Sequence, residues 1–289
     1  MALTFRLETD PHRFRDRVSP FLELDPVGRT LPMTVLDAVA SGLYTECVLA
    51  SVGSASGTVT GCAVQTRPHK VIVAATAVAD VRALAAGLDE RALAFPGVVG
   101  MTPWAHEFAA AWCDGKARTA VDDRASRLFR LDVLVAPRPA PGAARIATED
   151  DLDLVVTWFD AFVREVSGIQ VGNARRSFAI RIGERRVLVW VDGAEVVSFL
   201  GHSPVLAGHA RIGPVYTPPE HRGAGYASNL VAYASQRLLG LGVVPTLFTD
   251  LANPTSNAIY QAIGYTPVAD AFEIEFVTQP SDQPSDQPS

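Results

Sequence analysis

Cysteine and lysine are both scarce in this chain, and each scarcity excludes something. The three cysteines, Cys47, Cys62 and Cys113, stand far apart in 289 residues. An odd, widely spaced set builds neither a disulfide framework nor a metal knuckle, so they read as reduced, mostly buried small hydrophobes. The six histidines are scattered, and His106-Glu107 lacks the second histidine of a zinc-binding helix, so no metal is expected. Lysine occurs only at Lys70 and Lys116, and the net charge is −6. That balance gives no general attraction to nucleic acid or to an anionic bilayer. No apolar run reaches the ~18–20 residues that span a membrane. The N-terminus lacks the basic and apolar regions of a secretory leader. A nucleophile elbow and a Walker-type phosphate loop are missing as well. These absences lead to the expectation of a cytoplasmic protein without nucleic-acid or membrane partners, present as a monomer or homodimer.

What is present describes a globular chain. The hydrophobic content is 48%, and the length suits two domains, each with its own core. Val135-Ala-Pro-Arg-Pro-Ala-Pro-Gly-Ala-Ala144 carries three prolines and a glycine, which cannot sustain a helix or a central strand. It places an N-terminal domain at 1–136, a linker at 137–144 and a C-terminal domain at 145–278. The polar repeat at 279–289 has nothing to bury and reads as a disordered tail.

In the C-terminal half, Thr148 before Glu149-Asp-Asp151 marks a helix start, and apolar residues from Leu154 to Val166 follow at helical spacing. A second helical piece spans about 173–180. Strands are predicted at Val187–Val191, Glu195–Gly201 and His209–Tyr216, with Asp192-Gly193 as a tight turn. A helix over 225–241, a strand at 246–249, a helix at 256–263 and a strand near 272–277 complete the order. The N-terminal half repeats much of it: strands at 46–51, 59–65 and 71–75, a helix over 79–92, a strand at 97–101, a helix at 103–113 and a strand at 128–135. An ancient duplication is the expectation. Its Gly-rich turn is absent from the first half, where Ala75-Thr-Ala-Val-Ala-Asp-Val-Arg82 has no glycine.

The chemistry concentrates in Val215-Tyr-Thr-Pro-Pro-Glu-His-Arg-Gly-Ala-Gly-Tyr-Ala227, where a strand ends, a glycine turn follows and a helix begins. Backbone N–H groups gathered at a helix N-terminus form a site for a pyrophosphate. Gly213-Pro214 interrupts the strand just before, which suits a bulge and frees backbone groups for a ligand. Downstream, Asn253-Pro254 closes a strand, and Asn257 and Tyr260 share a helix face that ends at Gly264.

The R-x-x-G-x-A turn at Arg222–Ala227 and the N-x-x-Y-x-x-x-G-Y segment at Asn257–Tyr265 together resemble the GNAT N-acetyltransferase superfamily, over roughly Arg145–Val277. The two halves resemble a tandem GNAT protein with a degenerate first copy. The resemblance implies an α/β (α+β) fold of two domains, each a mixed, mostly antiparallel central sheet flanked by helices. It implies an acyltransferase that moves an acetyl group from acetyl-CoA to a small-molecule or peptide primary amine by direct attack on the thioester. Cofactor contacts carry over to Val215, Tyr216, Thr217, Arg222, Gly223, Ala224, Gly225, Tyr226, Ala227, Asn253 and Asn257. Tyr260 carries over as general acid. The base stays open among Glu165, His202, His209 and Glu220; Glu165 is named as base or acceptor-site residue. Thr217-Pro-Pro219 has two prolines where one is more usual in the family. A non-catalytic acyl-CoA-binding or regulatory module is the alternative.

Overall fold

The computed structural model describes residues 3–166 and 172–278. Along the chain run β1 (Leu3–Glu8), α1 (Pro11–Leu22), α2 (Thr30–Ala40), β2 (Cys47–Ser54), β3 (Val59–Thr66), β4 (Val71–Ala75), α3 (Val78–Asp89), β5 (Gly97–Met101), α4 (Trp104–Cys113) and β6 (Arg118–Leu131). Then follow β7 (Ala143–Ile146), α5 (Leu152–Val166), α6 (Ala174–Gly183), β8 (Val187–Asp192), β9 (Glu195–His202), β10 (His209–Tyr216), α7 (Tyr226–Gly240), β11 (Val244–Asp250), α8 (Pro254–Ala262) and β12 (Tyr265–Thr278). From β7 to β12 the second half repeats the order of β1 to β6.

The chain forms two compact units that interleave in sequence. Unit 1 takes Met1–Leu24, Tyr44–Ala125 and the segment from Asp270 onward; unit 2 takes Asp25–Leu43 and Ser126–Ala269. In unit 1 the strand order is β1-β2-β3-β4-β5-β12-β6, and in unit 2 it is β12-β6-β11-β10-β9-β8-β7. β4 with β5 and β10 with β11 pair in parallel, one such pair in each unit, whereas β1 with β2, β2 with β3, β3 with β4, β5 with β12, β6 with β11, β7 with β8, β8 with β9 and β9 with β10 are antiparallel. This grouping differs from the expected 1–136, 137–144 and 145–278. Strands β6 and β12 each serve both sheets, and α2 belongs to the second unit, so no single cut separates them. The Pro-rich stretch lies inside unit 2. Its Arg138 and Pro141 carbonyls accept from Asn229 Nδ2 and Trp190 Nε1, at 2.9 and 2.7 Å. The tail at 279–289 lies outside the described residues.

Element limits move for physical reasons. Strand β6 starts ten residues before the predicted 128, because Arg118–Arg127 is polar and carries no apolar alternation. Asp123 of that stretch instead pairs with Lys70, which Glu273 also holds at 3.2 Å. Val133 and Val135, predicted as strand, are exposed and outside it. Strand β12 begins directly after Gly264, ahead of the predicted 272. Helix α1 had no sequence expectation, although Asp10 caps it by accepting from the His12 and Arg13 amides at 2.9 and 3.2 Å.

Each unit buries its own core. In unit 1, Leu84, Leu88, Phe108 and Trp112 of α3 and α4 pack on the apolar strands β2 to β5. In unit 2, Leu230, Val231 and Leu238 of α7 cover one sheet face with Leu188, Leu200 and Leu247. Val155 of α5 and Phe178 of α6 cover the other face with Val187, Phe199 and Tyr216.

The predicted helix start at Thr148 opens as a short 3-10 turn, Glu149–Asp151, before α5. Asp151 fixes it: its carboxylate receives the Arg145 guanidinium at 2.6 and 2.8 Å and the Thr148 amide at 2.7 Å. The Arg145 side chain leads the causes that hold the Asp151 carboxyl below its ordinary value. A folded-state pKa below the unfolded one adds stability above the unfolded value, near ~3.9, and that stability is lost as pH falls through the folded value. We expect Asp151→Asn to cost roughly 2 kcal/mol at neutral pH. In urea titrations the gap to wild type should close below about pH 4. A gap that is constant with pH would refute the ion-pair account.

Candidate functional site

The site grows from one irregularity. Parallel pairing of β10 with β11 runs from His209↔Val244 to Ile212↔Leu247 and stops there, although both strands continue. On its other side β10 shifts register against β9 between Ile212 and Val215. Gly213-Pro214 is the cause, since Gly213 takes φ +149° and proline has no N–H for the ladder. Beyond Ile212 the two strands part, at the carboxyl ends where open α/β sheets hold their ligands.

The chain leaving β10 forms the turn at Arg222–Gly225 and enters α7. Gly223 and Gly225 have φ +83° and +85°, which side chains rarely adopt, and Gly225 is the N-cap. No side chain caps α7, and its first turn holds no acid. The first intrahelical bond is Asn229 N–H to Gly225 O, leaving the N–H groups of Tyr226, Ala227 and Ser228 ahead of the ladder. Ser228 and Asn229 turn their side chains back onto the Gly225 carbonyl at 2.8 and 2.9 Å. An anion therefore meets bare amides and a positive dipole end.

In unit 1, α3 starts differently, from Ala77 in extended backbone and with an acid in its first turn. Asp80 of α3, 4% exposed, accepts from Thr60 Oγ1 at 2.6 Å, Thr76 Oγ1 at 2.9 Å and the Ala77 amide at 3.0 Å. Helix α3 thus receives an internal carboxylate at its N-cap amide, where α7 has no side-chain cap.

Arg222 does not point its guanidinium along the turn. Its Nη2 meets both Glu165 oxygens at 3.1 and 2.9 Å, and Nε donates to Thr217 O at 2.8 Å. Tyr216 joins them, donating to Glu165 Oε1 at 3.1 Å, and burial with that carboxylate pushes its phenol up. Thr217 Oγ1 bonds Ser198 Oγ at 2.9 Å. Glu165 is thus a paired carboxylate at the rim. Tyr226 turns its side chain away from the turn, donating to Asp192 Oδ2 at 2.6 Å, so its backbone N–H is what faces the turn.

On the β11 side, Asn253 caps α8 by accepting from the Ser256 amide at 3.0 Å. Asn257 is committed to the scaffold: Nδ2 donates to Asp250 O and Asn253 O at 2.9 and 2.8 Å, and Oδ1 accepts from Thr249. Tyr260 is half-buried and packs on the α7 core, as does Val215. Its ring lies 6.0 Å from that of Tyr265, and burial pushes its phenol up to about 12. Of the other base candidates, His202 bonds the Ser203 carbonyl through Nδ1 at 2.7 Å and burial pushes it down. His209 bonds Ala207 O in a turn.

Arg181 and Arg211 escaped the sequence reading. Arg181 Nη1 approaches Gly213 O at 3.5 Å, and Arg211 donates to Thr34 Oγ1 at 2.8 Å. An arginine inside an alternating strand reads as solvent-facing, and α2 gave no signal that it would cover this one. Among the described residues no group of His, Cys, Asp and Glu could hold a metal, and no helix is long and apolar enough to cross a membrane.

Comparison with known proteins agrees with this architecture. The model of the Acetyltransferase (GNAT) family matches residues 149–265. No curated protein matches the chain. Among solved structures, the chain is similar to a GNAT-family acetyltransferase from Colwellia psychrerythraea, with 11% identity, 96% and 99% of the two chains covered and a TM-score of 0.63. A GCN5-related N-acetyltransferase from Sphaerobacter thermophilus gives 14% identity, 95% coverage of each chain and 0.63. A tandem GNAT protein from the clavulanic acid biosynthesis pathway gives 15%, coverage of 97% and 100%, and 0.58. At these identities the likeness is one of fold.

Proposed function

Because residues 149–265 belong to the GNAT acetyltransferase family, we propose that unit 2 moves an acetyl group from acetyl-CoA directly to a primary amine. The observation that carries this is the parting of β10 and β11 beyond Ile212/Leu247, beside an α7 N-terminus with no internal cap. The N–H groups of Gly223 to Ala227 receive the pyrophosphate. Backbone groups of Val215 and Thr217 receive the pantetheine arm and polarise the thioester carbonyl. Asn253 offers its Nδ2 to the same arm, and Asn257 acts by holding the β11 end against α8. Acetyl-CoA supplies the activated acyl group, and the protein's task is to hold and orient it.

Tyr260 stands at the sulfur. With its phenol near about 12 it stays protonated at neutral pH, against a thiol near ~8.5 if CoA resembles cysteine. Full proton transfer to the thiolate is then uphill. Its contribution is a hydrogen bond to the sulfur as charge develops, and the proton released by the amine balances the one the thiolate gains. Glu165, paired with Arg222 and Tyr216, serves at the acceptor rim, not as the base.

Free-thiol release with acetyl-CoA and an amine panel tests the proposal. Tyr260→Phe should lower kcat roughly 100-fold while acetyl-CoA still raises the melting temperature. Stabilisation by acetyl-CoA without thiol release in the wild type would instead mark a binding module.

A further inference from the structure

Ser198 of β9 is fully buried, and acetyl transfer as read above gives it no part. In the antiparallel register Val215 faces Leu200 and Tyr216 faces Phe199, so Ser198 lies beside the point where β10 ends and the chain turns away. Its hydroxyl donates to Tyr216 O at 3.0 Å, and Thr217 Oγ1 lies 2.9 Å from Ser198 Oγ. A serine hydroxyl has one hydrogen, which the Tyr216 carbonyl takes, so Thr217 must donate to Ser198. Thr217 O is held separately, by Arg222 Nε at 2.8 Å. Two side-chain donors therefore fix the backbone at the exit of β10.

The Tyr216 carbonyl and the Thr217 N–H belong to one peptide plane, and in a trans peptide they point in opposite directions. With its carbonyl tied to β9, that plane aims its N–H to the other side of β10, where β11 has parted from it. Among the described residues no partner takes the Thr217 N–H. Pro218 and Pro219 have no N–H to compete, so it is the last donor on the main chain before Glu220. Resting on the acetyl-transfer reading, we propose that Ser198 is a positioning residue for that reaction. Through the Tyr216–Thr217 peptide it holds the Thr217 N–H ready for the thioester oxygen, and the Thr217 hydroxyl keeps the hydrogen of Ser198 on its carbonyl. A donor fixed beforehand needs no rearrangement when negative charge gathers on that oxygen, so its effect falls on turnover and not on donor binding. Ser198 acts through the backbone and touches no substrate itself.

Thiol release by the full chain, with acetyl-CoA and an amine that the wild type accepts, separates kcat from KM. Ser198→Ala should lower kcat about 10-fold or more, while KM for acetyl-CoA stays within about 2-fold and acetyl-CoA still raises the melting temperature. Ser198→Thr keeps the hydroxyl and should recover most of the lost kcat. Thr217→Val leaves the bond from Ser198 to Tyr216 O but removes its support, so kcat should fall in the same sense by less. That variant answers the question should Ser198→Ala fail to fold. A serine that only stabilises the sheet would give a lower urea midpoint with kcat kept well below the melting temperature, and that result would overturn the inference. So would an unchanged kcat in Thr217→Val, a loss confined to KM for acetyl-CoA, or a Ser198→Thr variant as impaired as Ser198→Ala. In all of these the wild type still releases thiol, and acetyl transfer stands. A wild type that acetyl-CoA neither stabilises nor acetylates with would overturn the acetyl-transfer reading itself, and the role of Ser198 with it.

Discussion

Gly225→Asp should abolish the stabilisation of the protein by acetyl-CoA. At about 100 times its dissociation constant, a ligand that binds only the native state adds about 2.7 kcal/mol. For a unit of this size that is a rise of roughly 5–10 °C in melting temperature. A Cβ on Gly225 meets nothing closer than 3.6 Å, so the side chain fits. The remaining strain is φ +85°, a conformation Asp and Asn tolerate better than most residues. The introduced carboxylate would stand at the bare start of α7 and take the place of the phosphate. Gly225→Asn has the same shape without the charge and should keep most of the rise. Equal loss in both variants would assign the effect to strain, and no loss in the Asp variant would remove the anion site from α7.

The second large effect is expected in unit 1, where Asp80, three residues past the Ala77 N-cap, closes the start of α3 from within. Asp80→Ala should destabilise the protein by about 3 kcal/mol, read as a lower urea midpoint at unchanged slope. It strands the Thr60 and Thr76 hydroxyls and the Ala77 amide, and removes a negative charge from the first turn of α3. Asp80→Asn should fall between, because its one oxygen can satisfy only some of three donors. Acetyl-CoA binding in unit 2 should be untouched. A loss under 1 kcal/mol for Asp80→Ala would mean that water replaces the carboxylate without cost.

How legible all this was depended on how local the signal is. The turn was readable because Gly213-Pro214, Gly223 and Gly225 dictate backbone geometry by themselves, and the Asn253-Pro254 cap does the same for α8. The repeated strand and helix order was readable from apolar periodicity. What escaped was set by distant partners. Nothing near Asp80 announces Thr60, and nothing near Arg211 announces Thr34, on a helix 177 residues away in sequence. Polar β6 becomes a strand because β11 and β12 pair with it, and Arg222 reaches Glu165 across 57 residues. Chain crossings such as those of β6 and β12 leave no mark on either strand's own composition.

Those crossings also set a timetable for biosynthesis. Strand β5, an apolar Gly-Val-Val-Gly-Met, pairs with β4 on one side and with β12 on the other. Translation makes β12 last among the described elements, so β6 to β11 have all been made before that edge finds its neighbour. Until then the nascent chain offers an unsatisfied, water-averse ribbon to any passing strand. Yield in the cell should therefore be governed by chaperone holding of the half-made product as much as by the stability of the finished one.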